Sequence, residues 1–96
     1  LSAETLTRLA SLNHSLTLRV FTTPTCAYCP RAVNLAFEMA VACPHVTAFA
    51  IEATGFPDLV RQYEVNGVPK TIVDDRIEIL GAIPEAEFVA QVLPNP

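Results

Sequence analysis

The stretch "TPTCAYCPRAV", Thr23 to Val33, holds two of the chain's three cysteines, separated by two residues. In "SLTLRVFT" before it, Leu16, Leu18 and Val20 alternate with Thr17, Arg19 and Phe21, the period of a strand. After it, "RAVNLAFEMAVA", Arg31 to Ala42, is rich in helix formers. Its polar residues Arg31, Asn34 and Glu38 fall on one narrow stripe, so the helix is expected to be mostly buried. Pro44 stops it. The cysteine pair therefore falls where a strand ends and a helix begins. Such a pair can close a small disulfide, supply half a metal site or exchange electrons, and the spacing alone does not choose.

Its position does more. In parallel α/β sheets, reactive groups gather at the carboxyl ends of strands. A helix N-terminus presents free N–H groups and partial positive charge. Both favour a thiolate, the nucleophilic form of cysteine. Cys26 comes first and is expected to be the more exposed, titrating below the free-thiol value of about 8.5. Cys29 lies one turn further in, close enough to attack a mixed disulfide formed at Cys26. Pro30 is tolerated in a first turn, where a missing N–H costs little. A zinc site built from Cys26, Cys29, Cys43 and His45 is opposed by geometry. The intervening helix would place Cys43 roughly 20 Å from Cys29 at about 1.5 Å per residue. Cys43 is read as a buried thiol near a helix end. His14 and His45 fall in expected loops and receive no role.

The 96 residues suit one domain, and 51% hydrophobic content supplies a core that does not depend on disulfide staples. Ten acids against six bases give a net charge of -4, with no basic block to attract nucleic acid or an anionic membrane surface. No apolar run reaches membrane-spanning length. "LSAETLTRLASL" lacks the basic start, the continuous apolar stretch and the cleavage site of a secretory signal, and no initiator Met is present. These features point to a cytosolic setting and to a piece of a longer or processed product. A purely structural Cys26–Cys29 disulfide is disfavoured in a reducing compartment.

The rest of the chain completes an alternating pattern. Ser2 caps a first helix, with Leu6, Leu9 and Ala10 on one face, fading near Asn13. "VTAFAI", Val46 to Ile51, is apolar on both faces, as a strand covered on two sides would be. Pro57 opens a short helix that runs to Tyr63. Lys70 to Val73 and Arg76 to Leu80 read as strands joined by an Asp74-Asp75 turn. Pro84 opens a last helix with Phe88, Val89, Val92 and Leu93 inward, ended by Pro94 and Pro96. The order is α-β-α-β-α-β-β-α, with the first two strands parallel and the last two an antiparallel hairpin. The fold class is α/β: a four-stranded mixed sheet with helices on both faces.

A C-x-x-C opening a helix after the first strand, with "NGVP" opening the third, resembles the thioredoxin superfamily over the whole chain. "CAYC" is similar to the glutaredoxin active site, "LVRQYEVNGVPKTIV" to the thioredoxin segment leading to its cis-proline, and "LGAIPEAEFVAQVL" to the thioredoxin C-terminal strand end and helix. "TPTCAYCPRAV", "EATGFPDLVRQYEVNGVPKTIV" and "GAIPEAEF" resemble the C-terminal glutaredoxin-like unit of two-domain protein disulfide oxidoreductases. "CPRAVNLAFEMAVACP" is similar to the N-terminal redox domain of alkyl hydroperoxide reductase flavoproteins. The resemblance implies a thioredoxin-like sandwich, Cys26 as attacking thiol and Cys29 as resolving thiol. It also implies a cis Val68–Pro69 bond beside the pair and a Val68 backbone that hydrogen-bonds an extended substrate strand. Without it, the trans form would be expected, since only about 5–6% of X-Pro bonds in folded proteins are cis.

Departures from the family pattern are informative. Val20 stands where thioredoxins carry a buried Asp that helps deprotonate the resolving cysteine. Glu52, at the end of the second strand, is a possible proton acceptor in its place, weighed against a solvated strand-end carboxylate. Gly81 is followed by Ala82, Ile83 and Pro84, not by the Gly-Asp that helps glutaredoxins hold glutathione, and Lys70 replaces the Thr usual after the cis-proline. Tyr28 is read as touching substrate or, preferably, as packing over the active-site edge. Arg31 either favours the Cys26 thiolate or is simply solvated. The reading is a thiol–disulfide oxidoreductase with a redox-active Cys26–Cys29 disulfide and no bound cofactor or metal. It would act on protein disulfide or dithiol clients, with a flavoprotein disulfide reductase or glutathione as electron donor. A glutathione-dependent glutaredoxin and a non-catalytic iron–sulfur or zinc carrier are the alternatives.

Overall fold

Apolar residues that alternate along a strand share one face and must find cover there, and strand β1, Leu16–Thr22, does so at the middle of the sheet. The computed structural model describes residues 1–93. Its elements are α1 (Ala3–Ala10), β1, α2 (Cys29–Ala42), β2 (Val46–Glu52), a 3-10 turn (Ala53–Gly55), α3 (Pro57–Gln62), β3 (Lys70–Val73), β4 (Ile77–Leu80) and α4 (Glu85–Val92). The sheet order is β2-β1-β3-β4. β1 runs parallel to β2, with Leu16 beside Val46 and Thr22 beside Glu52. β1 is antiparallel to β3, with Phe21 opposite Lys70, and β3 is antiparallel to β4. The fold is the expected thioredoxin-like sandwich.

The larger core lies on one face. Leu18 and Val20 of β1 and Val73 of β3 meet Leu9, Ala36, Met39, Phe88 and Val92 from the three longer helices. Full burial of each large side chain contributes about 1.5–3 kcal/mol. On the other face Phe21 and Ile72 are buried, and the Tyr63 ring, just past α3, packs on Phe21 with centroids 5.8 Å apart.

Three burial expectations change. In α1 the inward residues are Thr5 and Leu9, while Leu6 and Ala10 are exposed. The helix is turned so that the Thr5 hydroxyl can donate to Glu85 Oε2 at 2.7 Å, which a purely apolar face could not do. Helix α2 buries only the stripe Cys29, Ala32, Ala36 and Met39, and Val41 is 90% exposed, because one face alone meets the sheet. Strand β2, an edge strand, is not covered on both faces: only Val46 is buried, and Phe49 remains 47% exposed with the Arg19 guanidinium over its ring. The expectation that Pro94 and Pro96 end α4 lies outside the described residues.

Two turns flank β3. Asp74 and Asp75 both have positive φ, 52° and 60°, in a three-residue connection, 74–76, where the Arg76 N–H closes a tight turn on Val73 O at 3.0 Å. Glycine would adopt these angles more easily, but these carboxylates have partners. Asp74 Oδ1 accepts the Thr17 N–H at 2.7 Å. Asp75 Oδ1 accepts from the Tyr63 hydroxyl at 2.6 Å and from Arg19 at 2.9 Å. The bond to Asp75 holds the Tyr63 hydroxyl above its ordinary pKa. The second turn ends α3: the Val65 N–H reaches Val60 O at 2.9 Å and the Glu64 N–H reaches Arg61 O at 3.3 Å. This paired closure usually has glycine in the left-handed position, but here Glu64 occupies it with φ 52°.

Glu64→Gly removes that left-handed penalty and is expected to stabilise the fold by about 0.5–1 kcal/mol, read as a rise of a few degrees in Tm. A second expectation concerns acid. Glu85 accepts from the Thr5 hydroxyl and the Ser2 N–H, and these bonds hold its carboxyl below the ordinary value of 4.5. A folded pKa below the unfolded one gives stability that is present above the unfolded value and lost as pH falls through the folded value. Urea unfolding of Glu85→Gln should therefore show a shallower loss of stability below pH 4.5 than wild type.

Candidate active site

Strand β1 ends at Thr22, and the chain turns through Thr23–Thr25 before the first cysteine, with the Cys26 N–H donating to Thr23 O at 3.3 Å. Cys29 is the first residue of α2 and Pro30 follows it in the first turn, where its missing N–H leaves no gap in the helical ladder. Cys26 and Cys29 are joined as a disulfide with Cα atoms 5.4 Å apart. Cys29 is 3% exposed, and Cys26 is half-buried. No side chain caps α2, and no acidic residue lies in its first turn. The positive end of the helix dipole is therefore left to the cysteine edge, where a thiolate released on reduction would be stabilised.

The β1–β3 register brings the second part of the site to the same edge. Phe21 stands opposite Lys70, so Pro69, which precedes Lys70, and Cys26, five residues after Phe21, leave the paired strands at the same end of the sheet. Pro69 is buried, the Val68–Pro69 bond is cis, and Pro69 O accepts the Gly81 N–H at 2.8 Å. Val68 is half-buried, and its backbone N–H and C=O have no hydrogen-bond partner among the described residues. A free donor and acceptor toward the end of the sheet where the disulfide lies suit an extended peptide that adds itself as a short strand.

The other candidate residues divide. Tyr28 is the residue before α2 and is 65% exposed, so it does not pack over the edge as preferred from the sequence; its ring faces solvent beside the pair. Arg31 is exposed in the first turn of α2. Glu52 sits at the same end of the sheet as a local cap: its carboxylate accepts the Thr54 N–H at 3.1 Å and the Thr54 hydroxyl at 2.6 Å. The hydroxyl bond, followed by the backbone bond, lowers its pKa, the wrong direction for a group meant to accept a proton. Cys43 is a buried free thiol beyond the far end of α2, with its Sγ donating to Leu9 O at 3.6 Å. Among the described residues, no three His, Cys, Asp or Glu side chains are grouped to hold a metal ion.

Lys70 was legible only as a departure from pattern. Its ammonium donates to Tyr63 O at 3.1 Å and Glu64 O at 3.0 Å and pairs with Glu78. The available signal was the alternation of the hairpin, which puts Lys70 and Glu78 on one face of adjacent strands.

A profile of the thioredoxin domain matches residues 16–94, and the chain belongs to that family. Among solved structures, it is similar to a protein disulfide oxidoreductase from Aeropyrum pernix, with 31% identity and a TM-score of 0.90. That match covers 96% of this chain and 42% of the other. It is also similar to a mutant of the alkylhydroperoxide reductase protein AhpF from Enterococcus faecalis, with 26% identity, a TM-score of 0.87 and coverage of 96% and 44%. A mutant thioredoxin from Halobacterium salinarum, at 18% identity and TM-score 0.66, shares the fold; the match covers 86% of this chain and 80% of that one. The chain thus spans less than half the length of the first two proteins. No curated protein sequence matches it.

The difference in exposure between the two sulfurs sets an order of reaction. After reduction under native conditions, brief iodoacetamide treatment should modify Cys26 well before Cys29 and Cys43, both 3% exposed. Peptide mass spectrometry checks this, and first labelling at Cys29 would reverse the roles.

Proposed function

We propose that this chain is a thiol–disulfide oxidoreductase whose Cys26–Cys29 dithiol exchanges two electrons with protein disulfides. The observation that carries the reading is a disulfide at the uncapped start of α2, on the same sheet edge as the unpaired Val68 backbone. In the reductive direction the Cys26 thiolate attacks one sulfur of a client disulfide. A Cys26–client mixed disulfide forms and one client thiolate leaves. The Cys29 thiol, losing its proton, then attacks the Cys26 sulfur. The second client thiolate leaves, and Cys26–Cys29 is closed. Oxidation of a client dithiol, or isomerisation, runs the same exchanges in other orders.

Val68 and Pro69 would hold the client's extended chain, and exposed Tyr28 would touch it. A groove along α2, lined by Ala27, Pro30, Arg31, Asn34, Ile83 and Glu85, gives a client a second surface beside the pair. A flavoprotein disulfide reductase or glutathione would return electrons to the pair. The similarity to a protein disulfide oxidoreductase and to an alkylhydroperoxide reductase protein supports the reading without naming a client. Residues 1–96 are read as one redox unit, which could also serve as one of two in a longer parent chain. Family potentials run from roughly -270 to -120 mV, so the measured potential decides whether the cell uses the pair as reductant or oxidant.

The test is turnover with dithiothreitol as donor and insulin as the disulfide client. The wild-type chain should accelerate reduction, and a folded chain no faster than dithiothreitol alone would defeat the proposal. Cys29→Ser should accumulate a mixed disulfide with the client on non-reducing gels, Cys26→Ser should form none, and Cys43→Ser should turn over within about twofold of wild type.

A further inference from the structure

Between the end of α3 and the start of β3, the backbone is held at few points. The Val65 N–H is bonded to Val60 O and Pro69 O to the Gly81 N–H, but Asn66, Gly67 and Val68 make no hydrogen bond among the described residues. Their path is therefore set by how the two ends of the arc are fixed to each other. One side chain joins those ends. Lys70 belongs to β3 by its backbone, and its ammonium reaches back across the arc to the carbonyls of Tyr63 and Glu64 at 3.1 and 3.0 Å. The first is the C-cap carbonyl of α3, where the helix leaves acceptors unsatisfied and a cation is favoured, and the second lies one residue beyond it. Glu64 is itself in the left-handed region, so the bond to its carbonyl also helps hold that conformation. The Lys70 side chain is only 12% exposed, and its charge is balanced by Glu78 on β4. A largely desolvated ammonium with three acceptors is a directed attachment, unlike a surface lysine free to swing in water.

We propose that Lys70 is a positioning residue for client recognition: it sets the arc that leaves the Val68 backbone open beside the cysteine pair. The inference rests on the oxidoreductase reading above. Lys70 does not act on the reacting sulfurs. A client that must align its main chain on Val68 depends on it, and a small disulfide that needs only the sulfurs does not.

Two disulfides separate these cases: insulin, which presents an extended chain, and 5,5′-dithiobis(2-nitrobenzoate), which does not. Lys70→Met should raise KM for insulin roughly tenfold with kcat little changed, and leave the rate with the small disulfide within about twofold. Lys70→Arg, which can still reach the carbonyls, should restore most of the loss. Hydrogen exchange should quicken for amides 65–68 in Lys70→Met and stay unchanged at 29–42. Equal loss with both substrates, or loss with neither, overturns the positioning role. Should Lys70→Met not fold, Glu78→Gln keeps the ammonium but removes its counter-charge. It should show the same KM split in smaller degree, and wild-type KM and exchange there would overturn the proposal. A wild-type chain inactive on both disulfides would instead overturn the oxidoreductase reading, while the exchange data would still report on the attachment.

Discussion

The antiparallel register that sets Phe21 of β1 opposite Lys70 of β3 is the constraint on which the site depends. β1 delivers the cysteine pair from its carboxyl end, and β3 receives the chain from Pro69 at the same end. A slip of one residue would turn Leu18 and Val20 away from the helices and expose the larger core. It would also move Pro69 along the edge relative to Cys26. Burial of an aliphatic stripe and alignment of a reactive site are thus one requirement. The core that resists unfolding also resists misplacement of the chemistry.

Around that register the polar groups work as ties between elements. Glu85 joins α4 to the start of α1 through Thr5 and Ser2. Asp74 joins the hairpin turn to β1, Asp75 joins it to Tyr63, and Lys70 joins β3 to the end of α3. Each tie uses a group at a helix terminus, a turn or a strand end, where backbone donors and acceptors lack partners. None lies within the apolar cluster, where an unmatched polar atom would cost most. The start of α2, like those of α3 and α4, has no side-chain cap, and there a sulfur anion would benefit from the free N–H groups.

Much of this was legible in the chain itself. The alternation of Leu16, Leu18 and Val20, the helix formers after Cys29 and the prolines at helix starts define the element order without further help. The pair's place between strand and helix led to the same edge that the structure shows. What sequence could not supply was relative exposure. "VTAFAI" is apolar on both faces in an interior strand and in an edge strand alike, and only the sheet order decides. Helix α2 looked buried because Phe37 and Val41 are apolar, yet small Ala32 and Ala36 form the face that meets the sheet. Glu52 and Lys70 each depended on which acceptor or donor a nearby turn left unpaired. That is a property of backbone conformation, and residue type does not reveal it.

The edge position of β2 has a consequence for handling the molecule. Along its seven residues, alternate backbone N–H and C=O groups point outward without a strand partner, with Phe49 half-exposed and neither lysine nor proline to discourage a foreign strand. The opposite edge, β4, is only four residues long. The net charge of -4, an excess of ten acids over six bases, opposes the approach of two copies at neutral pH. That repulsion fades as carboxylates take up protons. Electrostatic resistance to self-association along β2 is therefore least near the isoelectric point of about 4.9, and pairing of copies through this edge is favoured there over neutral pH.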